Sequence, residues 1–304
     1  MENLSKTIGN TPLVRLTAIE KLYKINASLY AKVESFNLTG SVKDRSAFTI
    51  IVEAEKRGDI TRGDYIVEAT SGNMGISLTA IGKKLGYKPV IVIPEGFSKE
   101  RSDLILAYGG EIVYTPKNLG MDGAVKKAKE IARALNGYFI DQFNNGDNVK
   151  AHYLTTGKEI YRDLNGKVDY FFAGVGSGGT VSGVGKYLKE KTAAKIIGIE
   201  PSDSPLLSKG VAGSHKIQGI GANFIPSILD KTVIDEVLTA PYEKSVEFCK
   251  ILAKEEGLLC GISSGAALYC AVEYLKNQKI SGNAVTLFPD GGLKYLSTGI
   301  YENE

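Results

Sequence analysis

The side chain best placed to do chemistry in this sequence is Lys43, within Ser41-Val42-Lys43-Asp44-Arg45. The segment follows an apolar run, Leu29–Glu34, that reads as a strand, and it opens a helix expected over Val42–Arg57. Ser41 and Asp44 give the S-x-x-D spacing of a capped helix start. Ala47, Ile50, Ile51 and Ala54 recur at helical spacing and supply one apolar face. A lysine in the first turn sets its ammonium against the partial positive charge of the helix dipole. That disfavours the charged form, and a neutral amine is a nucleophile. Taken alone, Lys43 also reads as one more solvated lysine.

Three loops supply what Lys43 lacks. Thr70-Ser71-Gly72-Asn73-Met74-Gly75 follows an apolar run and opens a helix, so its N–H groups and hydroxyls suit a carboxylate or phosphate. Gly174-Val175-Gly176-Ser177-Gly178-Gly179-Thr180 and Gly261-Ile262-Ser263-Ser264-Gly265-Ala266-Ala267 lie in the same kind of place. Each loop alone also reads as a tight turn, and Ser263 or Ser264 as a helix cap. Gly174, Gly176 and Gly179 match G-x-G-x-x-G, and Glu200 ends the next expected strand where a dinucleotide fold holds its ribose. A single phosphate at Gly176–Thr180 fits equally well, and no companion His or Asp for hydride transfer is evident.

The elements that position these loops alternate along the chain. Strands are expected at Tyr65–Ala69, Pro89–Ile93, Glu111–Thr115, Tyr138–Ile140, Tyr170–Ala173, Lys195–Glu200 and Ala284–Phe288. Helices are expected over 74–85, from a Ser98 cap to Gly109-Gly110, and over 122–135, 149–164, 180–190, 242–256 and 264–277. Alternating elements with Val/Ile-rich strands imply an α/β fold with two open, largely parallel twisted sheets flanked by helices. A change of series near 141–148 predicts a smaller domain, 38–145, and a larger one from 1–37 and 146–304. In such sheets ligands bind off the carboxyl ends of the strands.

Composition excludes several classes. The 304 residues are 43% hydrophobic and 23% charged, with a net charge of +3, which fits a globular protein without a nucleic-acid arm. The polar amino-terminal residues read as no signal peptide, and no run is long enough to cross a bilayer. Cys249, Cys260 and Cys270 lack metal-ligand spacing and read as reduced core residues of a cytoplasmic protein. With His152 and His215 alone, both read as solvated or structural, a histidine metal site or Ser-His-Asp triad has little to build on.

Together the motifs resemble those of the cysteine synthase family. These are tryptophan synthase β-like, fold-type II pyridoxal-phosphate enzymes that also include cystathionine β-synthases. The resemblance runs through Ile8–Leu16, Lys32-Val33-Glu34, Gly40–Arg45, Thr70–Gly75, Asp141-Gln142-Phe143 and Thr155–Ile160. It continues through Gly174–Thr180, Lys216–Gly221, Gly261–Ala267 and Lys294–Thr298. It implies pyridoxal 5'-phosphate as cofactor, Lys43 as its covalent anchor and as catalytic base, and no metal. It gives Asn73 to the phenolic oxygen, Gly176, Ser177, Gly178, Gly179 and Thr180 to the phosphate, and Ser263 to the pyridine nitrogen. Thr70, Ser71, Met74, Gln142 and Gly219 would meet the substrate, with the smaller domain mobile. The implied reaction is β-replacement: O-acetyl-L-serine and sulfide give L-cysteine and acetate. A homodimer acting on small amino acids and sulfide or a thiol is the family expectation, with no nucleic-acid or membrane partner.

Some residues depart from the family pattern. Met74 stands where threonine is usual, Leu38-Thr39 where a proline-containing pair is common, and Asp290–Leu293 where a serine- and glutamate-bearing loop is usual. These leave the cofactor contacts in place and open the question of substrate. A cysteine-consuming enzyme that releases hydrogen sulfide, forming lanthionine or cystathionine, is the alternative within this chemistry. An NAD-dependent oxidoreductase built on Gly174–Gly179 and Glu200 is the alternative of another class, and a cofactor-free interaction protein a third. The last two leave Lys43, Asn73 and Ser263 without roles.

Overall fold

The structure is a computed structural model describing residues 2–96, 99–278 and 280–302. Among these are ten strands: β1 (Leu13–Arg15), β2 (Ser28–Val33), β3 (Tyr65–Ala69), β4 (Lys88–Pro94), β5 (Glu111–Thr115), β6 (Tyr138–Phe139), β7 (Tyr170–Gly174), β8 (Lys195–Pro201), β9 (Glu236–Ala240) and β10 (Asn283–Phe288). They form a four-stranded sheet, β5-β4-β3-β6, and a six-stranded sheet, β1-β2-β10-β7-β8-β9. β1 is antiparallel to β2 and the other described pairings are parallel. The expected architecture of two largely parallel sheets with helices between the strands is the observed one.

The chain forms two compact units, Met1–Ile8 with Asn37–Asn148 and Gly9–Phe36 with Val149–Glu304. The first eight residues therefore sit with the smaller unit, where Leu4 joins an apolar cluster containing Ile50, Ile66 and Ile81. In that unit the two faces of β3 and β4 alternate with period two, as both-sided burial requires. Val67, Ala69, Val90 and Val92 pack with Ala124, Ala128 and Ala132 of helix Gly120–Ala134. Ile66, Ile91 and Ile93 pack with Ile50, Ile51, Ile76 and Ile81 from helices Lys43–Arg57 and Asn73–Leu85. In the second unit one cluster joins Leu29, Phe172, Ile197 and Phe288 of the strands to Ala267, Ala271 and Leu275 of helix Ile262–Asn277.

Several local expectations change. The stretch expected as one helix over 149–164 is two, Asp147–Leu154 and Thr156–Asp163. At the break Thr155 takes φ −121°, and its hydroxyl donates back to the Ala151 carbonyl at 2.6 Å, a bond that bends helices. Helix Lys43–Arg57 starts without the expected capping box. The Asp44 carboxylate instead accepts from the Thr39 N–H at 2.7 Å and the Thr39 hydroxyl at 2.6 Å. Helix Ile262–Asn277 begins after Gly261, so Ser263 and Ser264 lie inside its first turn rather than capping it. The helix toward Gly109 is Lys99–Ala107, and its expected cap, Ser98, lies outside the described residues. β1, β9 and helix Thr17–Tyr23 were not expected.

Candidate active site

In the first unit the candidate residues sit at helix starts and strand ends. Lys43 is the first residue of its helix, half-buried, with its backbone N–H donating to Ser41 Oγ at 3.3 Å. Thr70 follows β3; its hydroxyl accepts the Gly72 N–H at 3.2 Å and so shapes the turn into helix Asn73–Leu85. Asn73 opens that helix, half-buried, with Ser71 just before it. Gln142 follows β6, and its side-chain N–H donates to Glu68 Oε1 at 3.0 Å. Buried hydrogen bonds tie these segments together. The Thr39 and Ser77 hydroxyls lie 3.3 Å apart, Ser46 donates to Asn148 at 2.7 Å, and Asn148 donates to the Gln142 carbonyl at 2.9 Å.

Met74 does not join them. It is 1% exposed, and its thioether packs in the apolar cluster beneath the sheet. Its neighbour Gly75 is equally enclosed: a Cβ there would meet Ile91 at 3.0 Å and Ile105 at 3.2 Å.

In the second unit the glycine loop forms a cradle. The Val175 N–H donates to the Ile199 carbonyl at 2.8 Å, and its carbonyl accepts the Gly221 N–H at 2.9 Å, so residues 219–221 lie along the loop. A Cβ at Gly176 would overlap the Gly219 carbonyl. Gly178 has φ +86° and precedes the 13-residue helix Gly179–Lys191, where N–H groups and the dipole favour an anion. Ser177 is buried beside it. Ser263, 4% exposed, has its hydroxyl 4.0 Å from where a Gly219 Cβ would stand. Gly176, Gly219 and Ser263, distant in sequence, are thus neighbours.

Sequence reasoning missed two supports. His152 is wholly buried and bridges hydroxyls, with Nδ1 2.9 Å from Thr156 and Nε2 3.2 Å from Thr180, so it braces the cradle's last residue. The His152/Thr156 spacing of four on a helical stretch was the readable signal. Glu68, the one charge in Tyr-Ile-Val-Glu-Ala, is the other. Burial foremost raises its carboxyl to about 8; the Gln142 amide opposes this and the Asp141 charge adds to it. His215 donates from Nε2 to the Gly221 carbonyl at 2.7 Å, a structural role. The three cysteines are free and buried, and burial lifts the Cys249 and Cys270 thiols to about 12.

Other motif residues build scaffold. Buried Lys32 lies 2.8 Å from Glu159 and 2.7 Å from the Thr11 carbonyl, and the Thr11 hydroxyl donates to Glu34 at 2.6 Å. The dinucleotide reading loses its acid. Glu200 accepts the Leu207 and Ser208 N–H groups at 2.7 and 2.9 Å and the Ser208 hydroxyl at 2.6 Å, so it starts a short helix instead of awaiting a ribose.

A loop with no room for a Cβ at Gly176, at the amino end of a helix, fits a phosphate ester, and Lys43 is an amine suited to an aldehyde. The family described as pyridoxal-phosphate dependent enzyme matches residues 4–290, and the chain belongs to it. It is a pyridoxal-phosphate enzyme. A cysteine synthase of Staphylococcus aureus (strain Mu50) is 46% identical over 304 residues, covering 99% of this chain and 97% of that one. Among solved structures, a hydrogen sulfide-producing enzyme from Fusobacterium nucleatum is 42% identical with a TM-score of 0.91, covering 96% and 98% of the two chains. A cysteine synthase from Entamoeba histolytica is 37% identical with a TM-score of 0.95, covering 100% and 91%.

Proposed function

We propose that the protein is a cysteine synthase, converting O-acetyl-L-serine and sulfide to L-cysteine and acetate. The observation that carries this reading is Ser263, a buried neutral hydroxyl beside Gly219 where a stronger electron sink would need a carboxylate. Lys43 would hold the cofactor through its amine, Asn73 would donate to the phenolic oxygen, and the N–H groups of Gly176–Thr180 with the Thr180 hydroxyl would take the phosphate. Thr70, Ser71 and Gln142 would bind the substrate α-carboxylate. Bound pyridoxal phosphate supplies the sink for the electron pair left when the α-proton is removed. Freed when the substrate's amino group takes its place on the cofactor, the Lys43 amine would take that proton as general base while acetate departs from the β-carbon. After sulfide adds there, Lys43 returns the proton to the α-carbon. Assembly as a homodimer is part of the proposal. No helix among the described residues is long and apolar enough to cross a membrane.

A second reading starts from cysteine and releases sulfide; the 42% likeness to the Fusobacterium nucleatum enzyme favours it. The test is the visible spectrum of the purified protein with O-acetylserine or cysteine, with sulfide followed chemically. The proposal expects a yellow protein, bleached by borohydride, that consumes sulfide with O-acetylserine. A Lys43→Ala protein should lose both the covalent fixation of the cofactor by borohydride and turnover. Sulfide release from cysteine without synthesis from O-acetylserine would replace the first reading with the second.

A further inference from the structure

Glu68 stands where a charge is costly. It shares its face of β3 with Ile66, and with Ile91 and Ile93 of β4, beneath helices 43–57 and 73–85. The side chain is 2% exposed. Oε1 accepts the Gln142 side-chain N–H at 3.0 Å, and Oε2 has no hydrogen-bond partner among the described residues. Against its burial the carboxylate has the Gln142 side-chain amide and the backbone N–H groups of Asp141 and Gln142, which together leave the charge undercompensated.

The surrounding charges do not rescue it. From the loop after β6 comes Asp141, which is like-charged and raises the carboxyl further. Helix 43–57 brings buried Asp44, held by Thr39, and buried Arg45. Lys83 and Lys84 of helix 73–85 are exposed, and buried Arg101 of helix 99–107 reaches toward the Ser71 carbonyl at 3.4 Å. β3 runs from Glu68 through Ala69 into Thr70 and Ser71, so the carboxyl lies under the loop and touches the amide that the proposed function gives to one ligand group.

We infer that Glu68 is a positioning residue for the amino-acid substrate: as a neutral acid it holds the Gln142 amide with one N–H inward, leaving the other for the substrate's α-carboxylate. Ionised, it would set a negative charge behind that carboxylate and weaken binding. The inference rests on the assignment of Gln142 to the substrate.

The experiment titrates holoenzyme with L-alanine, which has no leaving group, and follows the cofactor absorbance from pH 6 to 10. Wild type, Glu68→Gln and Gln142→Ala are compared. Wild-type Kd should rise, relative to that of Glu68→Gln, by roughly tenfold as pH passes through 8, the scale of one poorly screened like-charge pair. Coincident wild-type and Glu68→Gln profiles, with Gln142→Ala still weakened, would overturn the role of Glu68 alone. Unchanged binding by Gln142→Ala would remove the Gln142 assignment and the inference with it. Infrared spectra of wild type with labelled glutamate need no variant. They should show a protonated-carboxyl band at pH 7 that fades as pH rises through 8; its absence at pH 7 refutes a neutral Glu68.

Discussion

The buried carboxyl of Glu68 also makes a prediction about stability. In the unfolded chain it titrates near 4.5, and in the fold at about 8. Between those values the folded protein holds a proton that the unfolded chain has released. Stability therefore falls as pH rises from 4.5 and levels off above 8. At 1.36 kcal/mol per pH unit, the 2.5 units to pH 7 correspond to about 3 kcal/mol, and the full 3.5 units to about 5 kcal/mol. Glu68→Gln is nearly isosteric and cannot ionise. Any fixed cost of exchanging one buried polar group for another shifts its curve equally at every pH, so the change in the gap is what matters. Urea unfolding of both proteins at a common cofactor concentration, from pH 5 to pH 9, measures it. The variant should gain on wild type by several kcal/mol across that range. A gap equal at pH 5 and pH 9 would show that the fold does not hold Glu68 neutral.

Two further substitutions test other parts of the structure. Gly176→Ala would push a methyl group into the Gly219 carbonyl, so pyridoxal phosphate should be retained at least about tenfold more weakly, with circular dichroism unchanged. Equal cofactor affinity by equilibrium dialysis would rule out the cradle. Lys32→Met leaves buried Glu159 without the ammonium 2.8 Å away and should cost about 3–5 kcal/mol in urea unfolding. A loss below about 1 kcal/mol would mean that the network is not buried in solution.

How far the chain could be read depended on burial. β3, β4, β7, β8 and β10 are covered on both faces, so their sequences are apolar runs of strand length. β9 lies at a sheet edge and is half-buried through Glu236-Val237-Leu238-Thr239, which leaves no run to find. Ser41 and Asp44 had the spacing of a capping box, but spacing does not say which N–H a carboxylate will choose, and Asp44 takes the N–H and hydroxyl of Thr39. Lys43 and the three glycine and hydroxyl loops were legible because strand ends and helix starts are local features. Their neighbours were not. Gly219 meets Gly176 and Ser263 only after the second sheet has formed, and Gln142 meets Glu68 only when β6 lies beside β3. The loop's pattern does not show which way the first helical turn faces; that turn directs the Met74 side chain into the apolar cluster.

The order of strands in the second sheet bears on how the chain folds as it is made. β3 to β6 come from one continuous stretch, so the four-stranded sheet can assemble once residue 139 has left the ribosome. β2 is completed at Val33, yet its parallel neighbour β10 begins at Asn283. Until then β2 has only the three residues of β1 along one side and an unpaired edge along the other. β7, β8 and β9 can pair with one another in the meantime, but β10 alone links them to β2. A nascent chain arrested before residue 283 therefore carries one sheet whole and the other in two pieces. The long sequence separation makes their joining slow, and the waiting edge of β2 is a template for pairing with another chain.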